Sequence, residues 1–250
     1  MSEQPKVSVI IPVFNGEKFL PDAVASIHRQ DYPSIEVIII DDGSGDNSAT
    51  IAKDLIAGSE ANSGVVMRYF FQENRGLPGA RNAGLARVTG EFIGFLDVDD
   101  VWSDGKLRLQ VPMLTAEPDT GIVIGQSQKT VLVVNKDEPS QFKPVGAPAI
   151  GLSMSYALIR RSVFDLVGQF DETQRYCDDW DWYMRAREAG VVIRTHEDLV
   201  HEYRRHETNM TNDMETGNRY TLMMLKKSLD RRRQQTTGEA GSLPDLKRQK

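Results

Sequence analysis

Three carboxylates fall within four residues at Asp97-Val98-Asp99-Asp100, directly after the apolar run Phe92 to Leu96. A short run of that kind reads as a strand buried on both faces. On an extended backbone Asp97 and Asp99 would point to one side and Asp100 to the other. Acids packed so closely repel one another and want a compensating cation. An all-oxygen set suits hard Mg²⁺ or Mn²⁺, and Mg²⁺ commonly takes one or two carboxylates together with phosphate oxygens. The competing reading is a solvated acidic loop that caps the next helix, since Asp-x-Asp arises often by chance.

The rest of the chain decides between them. At 250 residues, 40% hydrophobic and 26% charged, it has the composition of one large globular domain. A net charge of −6 argues against nucleic-acid binding, which needs a basic footprint. A single cysteine, Cys177, permits no internal disulfide and fits a reducing compartment. Val7 to Val13 lacks the features of a signal peptide, and no stretch approaches the roughly 20 apolar residues of a membrane span. A cytoplasmic protein is expected, with at most peripheral contact at the inner face of the membrane.

The acids must be positioned by the elements before them. Val7 to Pro12, Ile35 to Ile40 and Val65 to Phe71 read as buried strands. Between them, Glu17 to Arg29 carries Phe19, Leu20, Ala23, Val24 and Ile27 at helical spacing, and a second helix runs through Ile51, Leu55 and Ile56. Strands alternating with helices imply a parallel sheet with right-handed crossovers, whose ligands bind beyond the carboxyl ends of the strands. Pro12-Val13-Phe14, Asp41-Asp42 and Asp97-Val98-Asp99 all lie at such ends, so they are expected to meet in one crevice.

Four segments in order over residues 7 to 102 carry a resemblance. They are Val7 to Asn15, Asp41-Asp42-Gly43-Ser44, Asn74-Arg75-Gly76 with Ala80-Arg81-Asn82, and Phe95-Leu96-Asp97-Val98-Asp99-Asp100. Together they resemble the family 2 glycosyltransferases of the GT-A fold, an α/β architecture with a mostly parallel sheet flanked by helices. The resemblance implies a Rossmann-like nucleotide-sugar-binding half at about residues 1–102 and an acceptor-side half at about 103–230. The polar composition of 231–250, with Gly and Pro and almost no core-forming residues, reads as a disordered tail. It implies that Pro12, Val13, Phe14 and Asn15 line the nucleoside pocket and that Asp42 accepts from the base. Arg81, near Gly76, would contact the nucleotide or its diphosphate, Asp97 would lie near the ribose, and Asp99 of this DxD motif would hold the metal. A carboxylate does supply the acceptor that a uracil-type N–H needs, and an arginine fork suits phosphate oxygens. Arg81 also reads as a helix-surface arginine, and Glu17 as either a ligand or a first-turn helix acid.

The second half is less regular. Lys106 to Leu114 reads as a helix, Gly121 to Val134 as a strand or hairpin, and Asn135 to Ala149, with three prolines, as a loop that could shape acceptor specificity. Asp178-Asp179-Trp180-Asp181 opens a helix ended by Gly190. It is similar to the family's Glu-Asp-x-Asp pattern, with Asp178 in place of the Glu. The resemblance puts the catalytic base at Asp179, with Asp181 as the alternative and helix capping as the structural reading. Tyr203-Arg204-Arg205-His206 is similar to the family's late Tyr-Arg-x-His segment, so His206 would ligate the metal or donate to phosphate. His28, His196 and His201 match nothing. Met214 to Leu229 reads as a terminal helix.

The expected activity is inverting transfer of a sugar from a nucleotide-diphosphate donor to a hydroxyl, in glycan, cell-wall or polysaccharide biosynthesis. A UDP-sugar is favoured, with GDP or dTDP sugars possible, and the acceptor is a carbohydrate or lipid-linked. A catalytically inactive nucleotide-sugar-binding paralogue is the alternative. A nucleotidyltransferase would want a Gly-rich phosphate loop that Pro12 to Gly16 lacks, and a dinucleotide oxidoreductase would want G-x-G-x-x-G after the first strand.

Overall fold

The computed structural model describes residues 4–59, 64–134, 140–235, 243 and 247–248. The first half alternates as read: β1 (Val7–Val13), α1 (Leu20–His28), β2 (Ile35–Asp42), α2 (Ser48–Ala57), β3 (Val65–Gln72), α3 (Gly76–Leu85) and β4 (Phe92–Phe95). The second half continues with β5 (Val101–Trp102), α4 (Lys106–Ala116), β6 (Thr120–Val133), β7 (Gln141–Pro144), β8 (Ala149–Ile150), β9 (Ala157–Arg160) and α5 (Arg161–Val167). It closes with α6 (Asp178–Glu188), β10 (Val192–Arg205), α7 (Met214–Gln235) and β11 (Lys247–Arg248).

One sheet gathers these strands in the order β11-β10-β6-β9-β4-β1-β2-β3. β4, β1, β2 and β3 are mutually parallel. The antiparallel β9 then joins β4 to β6, and β6 runs parallel to β10. This is the α/β, mostly parallel sheet flanked by helices expected for GT-A.

Period-two alternation sends the strand side chains to two layers. Val7, Val9 and Ile11 pack with Leu20, Val24, Ile27 and Leu107 of α1 and α4 on one face. Ile10, Ile93 and Phe95 pack with Phe164, Phe170 and Trp182 of the α5–α6 region on the other. The helix α3 lies so close to β1 that a Cβ on Gly84 would overlap the Ile10 side chain. Gly94 of β4 lies under the Trp102 indole, where a Cβ would stand 2.7 Å from the ring. No L side chain larger than glycine fits either contact without displacing its neighbour. Trp102 is thereby seated beneath the acidic turn, its Nε1 donating to the Ser155 carbonyl at 3.1 Å.

Several elements differ from the sequence reading. The first helix starts at Leu20, not Glu17, because Gly16 to Phe19 form a turn in which Phe19 and Leu20 amides both donate to the Gly16 carbonyl. Part of the Asn135–Ala149 loop is strand: β7 and β8 pair antiparallel with the long β6, while residues 135–139 lie outside the described residues. The strand β9 was not anticipated. The tail boundary at 230 moves, since α7 continues to Gln235. Arg231 is held there by Glu188 and Asp181. Tail residues 236–242, 244–246 and 249–250 lie outside the described residues. Among those described, no helix is long and apolar enough to cross a membrane.

Candidate functional site

The carboxyl ends of β1, β2 and β4 meet as expected, but their side chains divide the work. At the end of β1 the Pro12 and Val13 side chains are buried, Val13 in the α1-side core. Phe14, 55% exposed, and Asn15 face outward instead. Asn15 adopts a left-handed backbone (φ 53°) and stitches two loops together. Its amide donates to Ser44 Oγ at 3.0 Å, and its Oδ1 accepts from the Gly45 amide at 2.8 Å. Glu17 performs the same bracing. Its Oε2 accepts from the Asn47 amide and side chain at 3.1 and 3.0 Å.

Asp42 is 3% exposed. Its Oδ1 accepts from Gln72 Nε2 at 2.6 Å and the Arg75 amide at 2.9 Å, and Oδ2 accepts from the Gly76 amide at 2.8 Å. A carboxylate offers about four lone-pair sites, so three are committed, one to the end of β3 and two to the entry of α3. Asp42→Asn should therefore act on stability first. An amide in that place leaves at least one backbone N–H facing a donor, a loss of about 1–3 kcal/mol. For a chain of this size that corresponds to a melting point lower by several degrees, about 2–4 °C per kcal/mol. Differential scanning calorimetry checks it: an unchanged melting point would show the carboxylate free to serve a ligand instead.

After β4 the backbone does not continue extended. The Asp100 amide donates to the Asp97 carbonyl at 3.0 Å, closing a turn, so Asp97 and Asp99 do not share a face as the strand geometry predicted. Each of the three acids reaches a different partner. Asp97 Oδ1 accepts from Arg81 at 3.0 Å, and Oδ2 from the Ser155 hydroxyl at 3.2 Å. Asp100 is buried and accepts from the Arg204 amide at 2.8 Å. Asp99 Oδ2 lies 3.1 Å from His206 Nε2 and accepts from Asn209 Nδ2 at 2.9 Å. The His206 ring stacks on Phe19 with centroids 4.5 Å apart, which fixes its plane. Burial, then the Asp100 and Asp97 charges, push the Asp99 carboxyl up to about 7.

This end of the turn fits a divalent cation. Asp99 Oδ2 and His206 Nε2 lie 3.1 Å apart, close enough for one cation to contact both, and nearby acids make added positive charge favourable there. Among the described residues no group of three or more metal-binding side chains forms. A cation held by Asp99 and His206 would take its other ligands from phosphate and water, as Mg²⁺ and Mn²⁺ do in phosphate sites.

The second acidic group lies in the first turn of α6. Arg81, placed by α3, is 1% exposed, which removes the helix-surface reading. Its guanidinium donates to Asp178 at 2.7 Å and to Asp97 at 3.0 Å, between the Phe95 and Phe170 rings. Burial works to lower its pKa, but Asp178 and Asp97 outweigh that and raise it. The arginine thus locks the β4 turn to the start of α6. Asp181, 1% exposed, is held by Arg185 at 2.9 Å and Arg231 at 3.2 Å. Asp179 differs from both neighbours. Among the described residues no cation pairs with it, and its Oδ1 accepts only from the Trp180 amide at 2.8 Å. Burial first, then the Asp178 charge, push its carboxyl up to about 7, against the pull of Arg81.

Sequence reasoning missed the Arg81 bridge, Ser155, and the Arg204–Asn209 frame around Asp99. Arg204 donates to the Asp99 carbonyl at 2.6 Å and to Asp22 at 2.7 Å. The only signal for these was position: Arg204 and Asn209 flank His206.

Residues 8–170 match the family model described as glycosyl transferase family 2. An uncharacterized glycosyltransferase of Rickettsia typhi is 29% identical over 220 residues, covering 83% of this chain and 66% of the relative. One from Haemophilus influenzae is 39% identical over 107 residues, 43% of this chain and 41% of the relative. The chain thus spans no more than about two thirds of the length of these relatives. Among solved structures, Staphylococcus aureus TarS 1-349 in complex with UDP-GlcNAc has a TM-score of 0.67 at 19% identity, over 89% of this chain and 66% of that one. The mannosyltransferase PcManGT from Pyrobaculum calidifontis, in complex with GDP-Man and Mn²⁺, has a TM-score of 0.68 at 18% identity, over 97% and 67%.

Proposed function

The chain belongs to glycosyl transferase family 2, and from that footing we propose that it moves a sugar from a nucleotide-diphosphate donor to an acceptor hydroxyl with inversion. The observation that carries the reading is the Arg81 bridge, with Asp179 beside it paired with no cation among the described residues. Arg81 fixes the distance between a donor-side acidic turn and an acceptor-side acidic helix, and every carboxylate around it is neutralised except the one assigned to the base.

Phe14 and Asn15 border the nucleoside, with Asp42 holding the loop behind it. Asp99 and His206 would hold Mg²⁺ or Mn²⁺, which supplies neutralising charge at the diphosphate leaving group. Asp179 accepts the acceptor's proton as its hydroxyl attacks the anomeric carbon from the face opposite the diphosphate. One displacement with one base inverts the centre. Asp97, tied to Arg81 and Ser155, stands where a ribose hydroxyl could donate to its remaining lone pairs.

A UDP-sugar is the favoured donor, with GDP or dTDP sugars next. The complexes of TarS with UDP-GlcNAc and of PcManGT with GDP-Man support a nucleotide sugar of one of these kinds. The acceptor is a carbohydrate or a lipid-linked glycan at the cytoplasmic side of a membrane, within polysaccharide or cell-wall synthesis. A thermal-shift screen of UDP, GDP and dTDP sugars, with Mn²⁺ and with chelator, tests the donor side. One donor is expected to add roughly 2.7 kcal/mol at a hundredfold excess over its dissociation constant, and only with the metal. No shift from any of the three would sink the reading. Transfer by the shifted pair separates an enzyme from an inactive binder.

A further inference from the structure

Among the described residues, the helix α7 is packed on one side only. Its inner side packs on α6 and the segment before it: Met224 is buried, Arg231 and Ser228 reach Glu188 at 2.6 Å, and the Tyr220 and Tyr176 rings stack at 5.6 Å. The other side carries Met214, Leu222, Leu225 and Leu229, from 38% to 72% exposed. Positions 222, 225 and 229 follow the i, i+3, i+7 spacing of one helical stripe. Beside that stripe, on the same side, run the exposed Arg219, Lys226 and Arg233. Among the described residues no acid pairs with any of the three. Glu215 and Asp230 are the acids on this side of the helix, so the face is net basic on a chain of net charge −6.

From this we propose that the outer face of α7 docks on an anionic lipid surface, the leucines entering the headgroup boundary and the basic row meeting the lipid charges. A surface helix in water normally turns such a stripe inward, and contiguous exposed apolar area marks an interaction surface. An apolar stripe with basic residues along its border is the pattern of a helix lying in the membrane plane. Each basic group near an anionic surface contributes about 1 kcal/mol of attraction. A second copy of this chain meets the apolar stripe equally well, but it offers the basic row a partner of the same face and the same charge. The anionic bilayer complements both.

The consequence concerns the acceptor. The inner side of α7 is fastened to α6, whose first turn carries Asp178 and Asp179, so docking brings the acceptor-side acids to the bilayer. The acceptor class is then a glycan on a lipid, its reacting hydroxyl at the headgroup level. That last step rests on the base assignment to Asp179, whereas the docking does not.

The test is flotation of the full chain with vesicles of phosphatidylcholine alone and with about 30% phosphatidylglycerol, at 0.1 M and 1 M salt, where the screening length falls from about 10 to 3 Å. Binding to the anionic vesicles is expected, at least about tenfold weaker on neutral ones and weaker at high salt. The Leu222→Glu/Leu225→Glu variant should lose at least about tenfold of the binding with its melting point and donor-induced shift unchanged. Arg219→Gln/Lys226→Gln/Arg233→Gln should lose the salt-sensitive part and so covers the case in which the leucine variant fails to fold. Absence of wild-type binding to anionic vesicles would overturn the proposal, as would equal binding by both variants. So would a dimer in solution, measured by light scattering, that Leu222→Glu/Leu225→Glu breaks, since the face would then belong to a second copy. Because flotation reads no turnover, failure of the docking and failure of the base assignment are told apart.

Discussion

Asp179→Asn is expected to lower turnover at least about a hundredfold, within the 10²–10⁴ range of a general base, with donor affinity unchanged. The amide keeps the shape of the carboxylate and can still accept from the Trp180 amide, so only basicity is removed. Stability should hold or rise. A carboxyl raised from its usual value to about 7 binds its proton more tightly in the folded state. It therefore costs stability progressively as pH rises from about 4 to 7, and Asn removes that cost. The same shift gives a signature in rate. The base acts only when ionised, so wild-type kcat should climb with pH through a limb near 7 and level off above it. Asp181→Asn should do the reverse. Its carboxylate is buried between Arg185 and Arg231, and breaking a buried pair costs about 3–5 kcal/mol, so melting falls sharply while any folded enzyme keeps its pH limb. Should Asp181→Asn stay stable and inactive while Asp179→Asn turns over normally, the roles of the two acids are exchanged.

The two halves of the chain differ in how far their residues announce the structure. β1 and β2 were legible because Val7 to Pro12 and Ile35 to Ile40 are apolar except at Ser8 and Glu36, close to what a strand buried on both faces requires. Those two are buried as each other's partners, the Ser8 hydroxyl donating to Glu36. β10 was legible only at Val192 and Ile193. Beyond them it carries Thr195, His196, His201 and Arg204, residues that suggest a surface. They are buried because partners distant in sequence satisfy them: His201 Nδ1 sits 2.9 Å from Ser127 Oγ, and His196 Nε2 3.2 Å from Gln110. Short β9 gave no periodic signal, and its strand state comes from the two neighbours that flank it. At the site, residue types were readable and pairings were not. Arg81 resembled a phosphate ligand because a fork donor suits phosphate, yet in the fold two carboxylates already fill that fork. The convergence of Asp99 and His206 spans 107 positions, and no local pattern encodes it.

Asp99→Ala tests that convergence most directly, and it is expected to abolish metal-assisted donor binding and nearly all transfer. Two effects oppose each other in stability. The variant loses the Asn209 and His206 contacts, but it also removes a carboxyl that burial first, then the Asp100 and Asp97 charges, push up to about 7. The loop keeps its frame, because Arg204 holds the Asp99 backbone carbonyl and the Asp100 side chain, neither of which the substitution touches. The melting point without ligand should therefore stay close to wild type. Charge neutralisation at a leaving diphosphate is worth several kcal/mol, and each 1.36 kcal/mol is tenfold in rate, so a loss of about a thousandfold or more is expected. Chelation of the wild type should reproduce it. His206→Ala should weaken the Mn²⁺ response without abolishing it, because the carboxylate oxygen remains and imidazole is the lesser ligand for a hard cation. Full activity of Asp99→Ala in Mn²⁺ would remove the metal from this turn. A Mn²⁺-dependent donor shift that survives Asp99→Ala but vanishes in Asp97→Ala would instead move it to the Arg81 side of the turn.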